Sequence, residues 1–325
     1  MSTLTIAIPS KGRLQEQTLD YLADAGLRLV QSGGARDYAA RLSGLDNVSV
    51  SLLSAAEIAD ELIAGRVHLG VTGEDLLAEH GSEDRAFVVE RLGFGKANVI
   101  VAVPRSWIDV SHMADLDDVA ADFHSRHHRK LRVATKFMHL SRAFFASHGI
   151  ADYRIIESLG ATEGAPAAGT AEVVVDITTT GATLEANGLK ILDDGIILES
   201  QAALVASLRA NWHPQAKGAA QELFDRIAAR VLAKSSQTLD LPASRIDASL
   251  LKRLTANYAA RTLSAEKSDR ISLLVPDAQF AAVVALIREQ APGVTFTVQK
   301  PDQVFAGANL LFERFEAAFP SRSVR

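Results

Sequence analysis

The stretch AEVVVDITTTGATL, residues 171–184, is an apolar, β-branched run that ends in one carboxylate, Asp176, and passes at once into Thr178, Thr179, Thr180, Gly181, Ala182 and Thr183. Residues 173–177 have strand composition, and a helix is expected to begin near Ala182, so the segment predicts strand, tight turn and helix in succession. Gly181 permits the turn, while the threonine hydroxyls and the loop N–H groups can converge on phosphate oxygens at the start of that helix. A carboxylate just before such a loop is badly placed for phosphate but well placed to accept hydrogen bonds from sugar hydroxyls. The pair points to a phosphorylated sugar. The plainer alternative is that Thr and Gly only cap a helix that follows a strand.

Outward from this unit the same grammar repeats. Candidate strands at residues 5–8, 48–52, 69–71, 97–103, 131–135, 153–156, 173–177 and 196–199 are separated by helical patterns such as 14–25, 55–64, 116–126 and 140–147. Alternation of this kind predicts an α/β fold with largely parallel sheets, whose strand ends open into ligand-binding crevices. A helix is expected over 215–233. After it, KSSQTLDLPAS (234–244) reads as a linker with a boundary near residue 240, and residues 270–298 read strand, helix, strand, the start of a small α/β module.

A chain of 325 residues with 48% hydrophobic content can bury a substantial core, and the size prior points to two or three domains. With 34 basic against 39 acidic residues the net charge is −5, which supplies no field for gathering nucleic acid or anionic lipid. Neither is expected as a partner. The absence of cysteine removes thiolate nucleophiles and cysteine-based metal sites, and the N-terminal stretch lacks the order of a secretory signal. No apolar stretch approaches the roughly 18 residues that span a bilayer. A cytoplasmic location is expected.

Three further loops carry chemistry. In IPSKGRL (8–14), Lys11 and Arg13 flank Gly12 between a strand and a helix. Positive charge at a helix start opposes the helix dipole, so the pair favours an anion there, with Lys as a point charge and Arg as a planar fork. In LGATEGAPAAG (159–169), Glu163 offers a second carboxylate in a segment that Pro166 keeps turned, although an exposed loop glutamate is the plainer reading. In LGVTGEDLLAEHG (69–81), Thr72 and Gly73 precede Glu74 and Asp75 at a helix start, which capping alone would explain. The histidines of FHSRHHRK (123–130) read as a solvated helix end, and LGFG (92–95) is too short for a dinucleotide fingerprint. Neither a P-loop motif nor a nucleophile elbow is present.

Taken in order, IAIPSKGRL, GVTGEDLL, LGFGKANVIVAVP, RVATKF and ESLGATEGAPAAGTAEVVVDITTTGATLEANGL resemble the ATP phosphoribosyltransferases that open histidine biosynthesis, over roughly residues 5–207. The resemblance implies a two-lobed core like the type II periplasmic binding proteins and a transfer of the phosphoribosyl group from 5-phosphoribosyl 1-pyrophosphate to N1 of ATP. It implies lobe I at 1–96 and 195–235, lobe II at 97–194, and a small C-terminal α/β domain at 241–325, regulatory or for assembly. By the same resemblance Thr178, Thr179, Thr180, Gly181, Ala182 and Thr183 hold the 5-phosphate, and Asp176 and Glu163 meet the ribose. Lys11, Gly12, Arg13, Thr72 and Gly73 meet pyrophosphate and ATP, with Lys11, Arg13 and Asp176 as the catalytic set.

Mg²⁺ is expected on the substrate phosphates rather than on a protein cage. The expected assembly is a dimer-based homo-oligomer, with a separate regulatory subunit as an additional partner in short members of the family. The pattern departs where Glu172 stands in GTAE in place of the Asp common in relatives, and where residues 304–319 do not read as the second half of a regulatory domain. The competing readings are a non-catalytic cytoplasmic ligand sensor of the same fold and a catalytic core that depends on a separate subunit.

Overall fold

A computed structural model of the chain describes residues 4–31, 39–82, 84–263 and 268–319. Strand β1 (Leu4–Pro9) is buried at every position except Thr5, the signature of a strand with neighbours on both edges and cover on both faces. Helix α1 (Gly12–Asp24) follows and buries Thr18 and Leu22, one turn apart. Then come β2 (Leu29–Gln31), β3 (Ala39–Leu42) and β4 (Val48–Leu53), which alternates buried and half-buried positions. Helix α2 (Ala55–Ile63) starts at a capping box in which Ser54 and Glu57 satisfy each other's backbone N–H groups. Strand β5 (Leu69–Gly73), helix α3 (Glu74–Glu79) and strand β6 (Ala86–Arg91) complete the first pass.

The chain then builds a second sheet from β7 (Ala97–Pro104), α4 (Met113–His127), β8 (Leu131–Thr135), α5 (Met138–Ser147), β9 (Tyr153–Glu157), β10 (Val173–Thr178), α6 (Ala182–Ala186) and β11 (Leu189–Ser200). Strand β12 (Ala202–Ser207) returns to the first sheet and leads into α7 (Pro214–Lys234). A third sheet uses β13 (Ser236–Pro242), α8 (Ala248–Asn257), β14 (Arg261–Thr262), β15 (Arg270–Pro276), α9 (Phe280–Gln290) and β16 (Thr297–Gln299), after which comes α10 (Leu310–Ala317). The strand orders are β2-β3-β4-β1-β5-β12-β6, β11-β7-β10-β8-β9 and β14-β15-β13-β16. The α/β class and the two-sheet core with a smaller third sheet match the expectation.

The sheets are mixed, which corrects the expectation of largely parallel ones. Parallel pairing joins β1 to β4 and β5, and β8 to β9 and β10, while the other pairs run antiparallel. The reason is topological. Strands β3 and β12 in the first sheet and β7 in the second run against the parallel core, so each pairs antiparallel with its neighbours.

A second correction concerns residues 236–242, read as linker. They form β13, which lies between β15 and β16, with Leu239 and Leu241 fully buried. The alternation of small polar and leucine side chains is a strand pattern, and Pro242 stands at its last position, where a missing donor costs least. Residues 270–298 do give strand, helix and strand, with β13 inserted between the two strands. The final segment packs elsewhere. Asn309 caps α10 by accepting the Phe312 N–H at 3.0 Å, and Phe315 is fully buried against Trp212 and Phe224, ring centroids 4.6 and 5.5 Å away, in the core of the first sheet.

Candidate active site

The two crossings between the first and second sheets run side by side and are hydrogen-bonded to each other. Leu92 N–H donates to the Ala202 carbonyl at 2.9 Å, Ala202 N–H donates to Phe94 at 3.0 Å, and Gly93 N–H donates to the Gln201 side chain at 3.2 Å. At Gly95, φ is +61°, and a β-carbon there would stand 3.3 Å from both Leu14 and Ala202. Glycine is needed for the conformation, and the near contact brings the start of α1 against the crossing. Beside it lies a cleft of about 580 Å³ lined by Glu74, Arg91, Lys96, Asn98, Thr179, Glu199, Ser200 and Gln201.

Thr179 belongs also to the neighbouring cavity, of about 370 Å³, lined with Glu163, Asp176, Ile177, Thr178, Thr180, Thr183 and Leu184. Gly181 sits at φ +78° as the N-cap of α6, the left-handed turn that the opening sequence demanded. The loop is pre-folded by its own hydroxyls: Thr178 Oγ1 accepts the Gly181 N–H at 2.9 Å, Thr180 Oγ1 faces the Ala182 N–H at 3.4 Å, and Thr179 Oγ1 donates to the Lys96 carbonyl at 3.2 Å. Thr179, Thr180, Ala182 and Thr183 are exposed at the mouth. The last of these bonds ties the loop to the crossing strand.

At the inner wall, Asp176 accepts the Ile177 N–H at 2.8 Å. Burial pushes its carboxyl pKa up, the Ile177 hydrogen bond and the Lys136 ammonium pull it down, and the Glu163 carboxylate adds to the rise. Asp176 and Glu163 line the same cavity. Glu163 lies on a single 3₁₀ turn (Thr162–Gly164) anchored by buried Thr162, whose hydroxyl donates to Ser158 at 3.1 Å. In the sequence Lys136 stands within RVATKF, a stretch that attaches no site role to it. Its position one residue past β8, beside β10, was the available signal.

The other loops lie at the ends of β1 and β5, adjacent strands of the first sheet. Lys11, at the N-cap of α1, Gly12 at φ +74° and Arg13 are exposed. Among the described residues neither cation makes a side-chain hydrogen bond or ion pair, and the field of Lys11 adds a minor downward pull on the Glu57 carboxyl. They do not line the threonine cavity; Leu14, the residue after Arg13, lies near Gly95 of the crossing. Thr72 is fully buried, its hydroxyl donating to the Ala55 carbonyl at 2.7 Å, so it ties β5 to α2. A β-carbon on Gly73 would clash with Asp75 Oδ1, and that oxygen accepts from Ser200 Oγ at 2.8 Å while Asp75 N–H donates to the same hydroxyl at 3.0 Å. Gly73 thus makes room for a clip between the end of β5 and the end of β11. Of the cleft residues, Lys96 stands within the LGFGKANVIVAVP stretch with no role attached to it there, and Arg91 stands just before it.

Comparison with known proteins gives these contents a setting. The family model for ATP phosphoribosyltransferase matches residues 54–229. The chain is 52% identical over 316 residues to an ATP phosphoribosyltransferase of Bradyrhizobium diazoefficiens, covering 96% of this chain and 97% of that protein. It is 50% identical over 319 residues to one of Nitrobacter winogradskyi, covering 97% and 98%. Among solved structures, it is similar to the ATP phosphoribosyl transferase (HisG:HisZ) complex from Thermotoga maritima, with a TM-score of 0.54 and 24% identity over 70% of this chain and 96% of that one. That likeness speaks for the fold.

Proposed function

The chain belongs to the ATP phosphoribosyltransferase family, and from that premise we propose how its loops divide the work of the first step of histidine biosynthesis. The reaction moves a 5-phosphoribosyl group from 5-phosphoribosyl 1-pyrophosphate to N1 of ATP, giving phosphoribosyl-ATP. The bond from the anomeric carbon to pyrophosphate breaks, and a bond from that carbon to N1 forms. Positive charge develops on the ribose ring and negative charge on the leaving group, so the demand on the protein is orientation and electrostatic support.

The observation that carries the assignment is one cavity holding Glu163, Asp176 and the 178–183 loop together. The hydroxyls and N–H groups of Thr178, Thr179, Thr180, Gly181, Ala182 and Thr183 receive the 5-phosphate, and Asp176 with Glu163 accepts from the ribose hydroxyls. Lys11, Gly12 and Arg13, exposed beside the crossing, meet pyrophosphate and the ATP phosphates, with the 580 Å³ cleft between as the space for the acceptor. Mg²⁺ supplies neutralisation of the leaving pyrophosphate when bound. It would be carried on substrate phosphates and water, a mode of Mg²⁺ binding that needs no dedicated cage of side chains. Adenine N1 carries no proton at neutral pH, so no protein base is invoked.

The first two sheets act as the lobes, dividing near residues 96 and 200, and the third sheet serves regulation or assembly. The enzyme works in the cytoplasm as a dimer-based homo-oligomer. Purified chain supplied with ATP, 5-phosphoribosyl 1-pyrophosphate and Mg²⁺, with and without histidine, tests this. Product without a second protein supports a self-sufficient enzyme, inhibition by histidine assigns the third sheet a regulatory role, and product only after a further subunit is added makes the chain a dependent core.

A further inference from the structure

The cavity of about 370 Å³ that holds the threonine loop has an unbalanced lining. Asp176 and Glu163 contribute two carboxylates, the threonines contribute hydroxyls, and none of the lining residues is basic. A phosphate monoester brings between one and two further negative charges at neutral pH. Repulsion between that phosphate and the carboxylates opposes binding unless a cation stands at the rim. Lys136 lines neither this cavity nor the cleft beside it.

A cation is joined to the loop directly. Thr179 lines both the cavity and the cleft of about 580 Å³, and its hydroxyl donates to the Lys96 carbonyl at 3.2 Å. Lys96 lines that same cleft, immediately before β7. Two residues on, Asn98 is in register with Thr178 of β10 on one side and with Glu199 of β11 on the other, so the crossing runs along the flank of the loop. Lys96 is exposed, and among the described residues its ammonium makes no hydrogen bond or ion pair. The other charges of the cleft are placed differently. Arg91 Nε donates to Glu74 at 2.9 Å, and Glu199 stands across β7 from the threonine loop. Among the residues that line either space, Lys96 is the one cation without a carboxylate partner.

We propose that Lys96 is a substrate-binding residue: from the rim that Thr179 shares between the two spaces, its ammonium meets the 5-phosphate on the threonine loop and supplies the positive charge that the cavity lacks. The proposal rests on the reading of that loop as the 5-phosphate site. Lysine suits the position, because a compact charge on a flexible stem can reach a phosphate at an open mouth.

Calorimetric titration of the full-length enzyme with ribose 5-phosphate, pyrophosphate and ATP, each alone, tests this with Lys96→Met, Lys96→Arg and Thr180→Val/Thr183→Val. In Lys96→Met the affinity for ribose 5-phosphate should fall by about tenfold, while pyrophosphate and ATP stay within about twofold of wild type. Lys96→Arg, which keeps the charge, should recover ribose 5-phosphate binding to within about threefold. A loss confined to pyrophosphate or to ATP would place the ammonium on another phosphate and overturn the proposal. An equal loss for all three probes, or wild-type binding throughout, would overturn it as well. The threonine variant separates the two levels. If it binds ribose 5-phosphate at wild-type strength, or if the wild type binds none, the reading of the loop itself falls, whereas an impaired threonine variant beside an unaltered Lys96→Met removes Lys96 alone.

Discussion

Three residues show how differently single positions are constrained. Gly181 holds φ +78°, but a β-carbon there would meet only Ile191 at 3.8 Å, so the demand is on the backbone and not on space. Gly181→Ala should cost about 1–2 kcal/mol and weaken donor binding, seen as a lower Tm and a raised donor KM. Asp176 is the converse, a residue kept at a cost to stability. Its folded-state pKa lies above the ordinary value, so its charge destabilises the fold at neutral pH, and the penalty vanishes once it is protonated in acid. Asp176→Asn should therefore raise the Tm at pH 7 while it removes activity, a trade that a purely structural aspartate would reverse. Glu172 is such a structural residue. Burial works against its ionisation, but hydrogen bonds from the Arg132 side chain and backbone and from Arg129 outweigh it and hold the carboxyl at about 2. Its contribution, on the order of 1–2 kcal/mol after solvent screening, is complete above about pH 4.5 and lost as pH falls toward 2. Urea midpoints of wild type and Glu172→Gln should differ at pH 7 and converge near pH 2. The sequence showed this residue only as a departure from a family pattern; its two arginine partners lie forty and more positions away, where no local pattern reaches.

Among the elements, α5 depends on a residue from the other sheet's helix. No side chain of its own segment caps it, and Glu79, at the end of α3, accepts the N–H groups of His139 and Leu140 at 2.8 and 3.1 Å. A carboxylate at a helix start also meets the positive end of its dipole. Glu79→Ala should cost about 1 kcal/mol and speed amide exchange at residues 138–141 more than in the remainder of the second sheet, since it uncaps α5 and loosens a link between the lobes. The helices and parallel strands of the core were legible because their apolar periodicity is local. Strand β12 was missed because AALVAS is buried at every position and carries too few β-branched residues to mark it. Strand β13 reads as linker in the sequence because serine, glutamine and threonine dominate its first half, and its place between β15 and β16 depends on pairing that no local window sees.

At the scale of the molecule, the opening stretch located one wall of the site, and the fold supplied the rest. The threonine loop and its carboxylate could be read from composition and order, because a strand, a glycine turn and a helix start are encoded side by side. What brings Lys96 and Arg91 to the same cleft is the pair of hydrogen-bonded crossings at 92–96 and 201–202, set by topology. The same topology keeps Lys11 and Arg13 on the first sheet and the threonine loop on the second, so the proposed chemistry requires the two lobes to meet around the substrates. The most direct measurement is calorimetric binding of 5-phosphoribosyl 1-pyrophosphate to the full chain and to Thr180→Val/Thr183→Val and Asp176→Asn. The account predicts donor affinity weakened by about tenfold or more in each, with ATP affinity within about twofold of wild type. Donor binding at wild-type strength in both variants would contradict it.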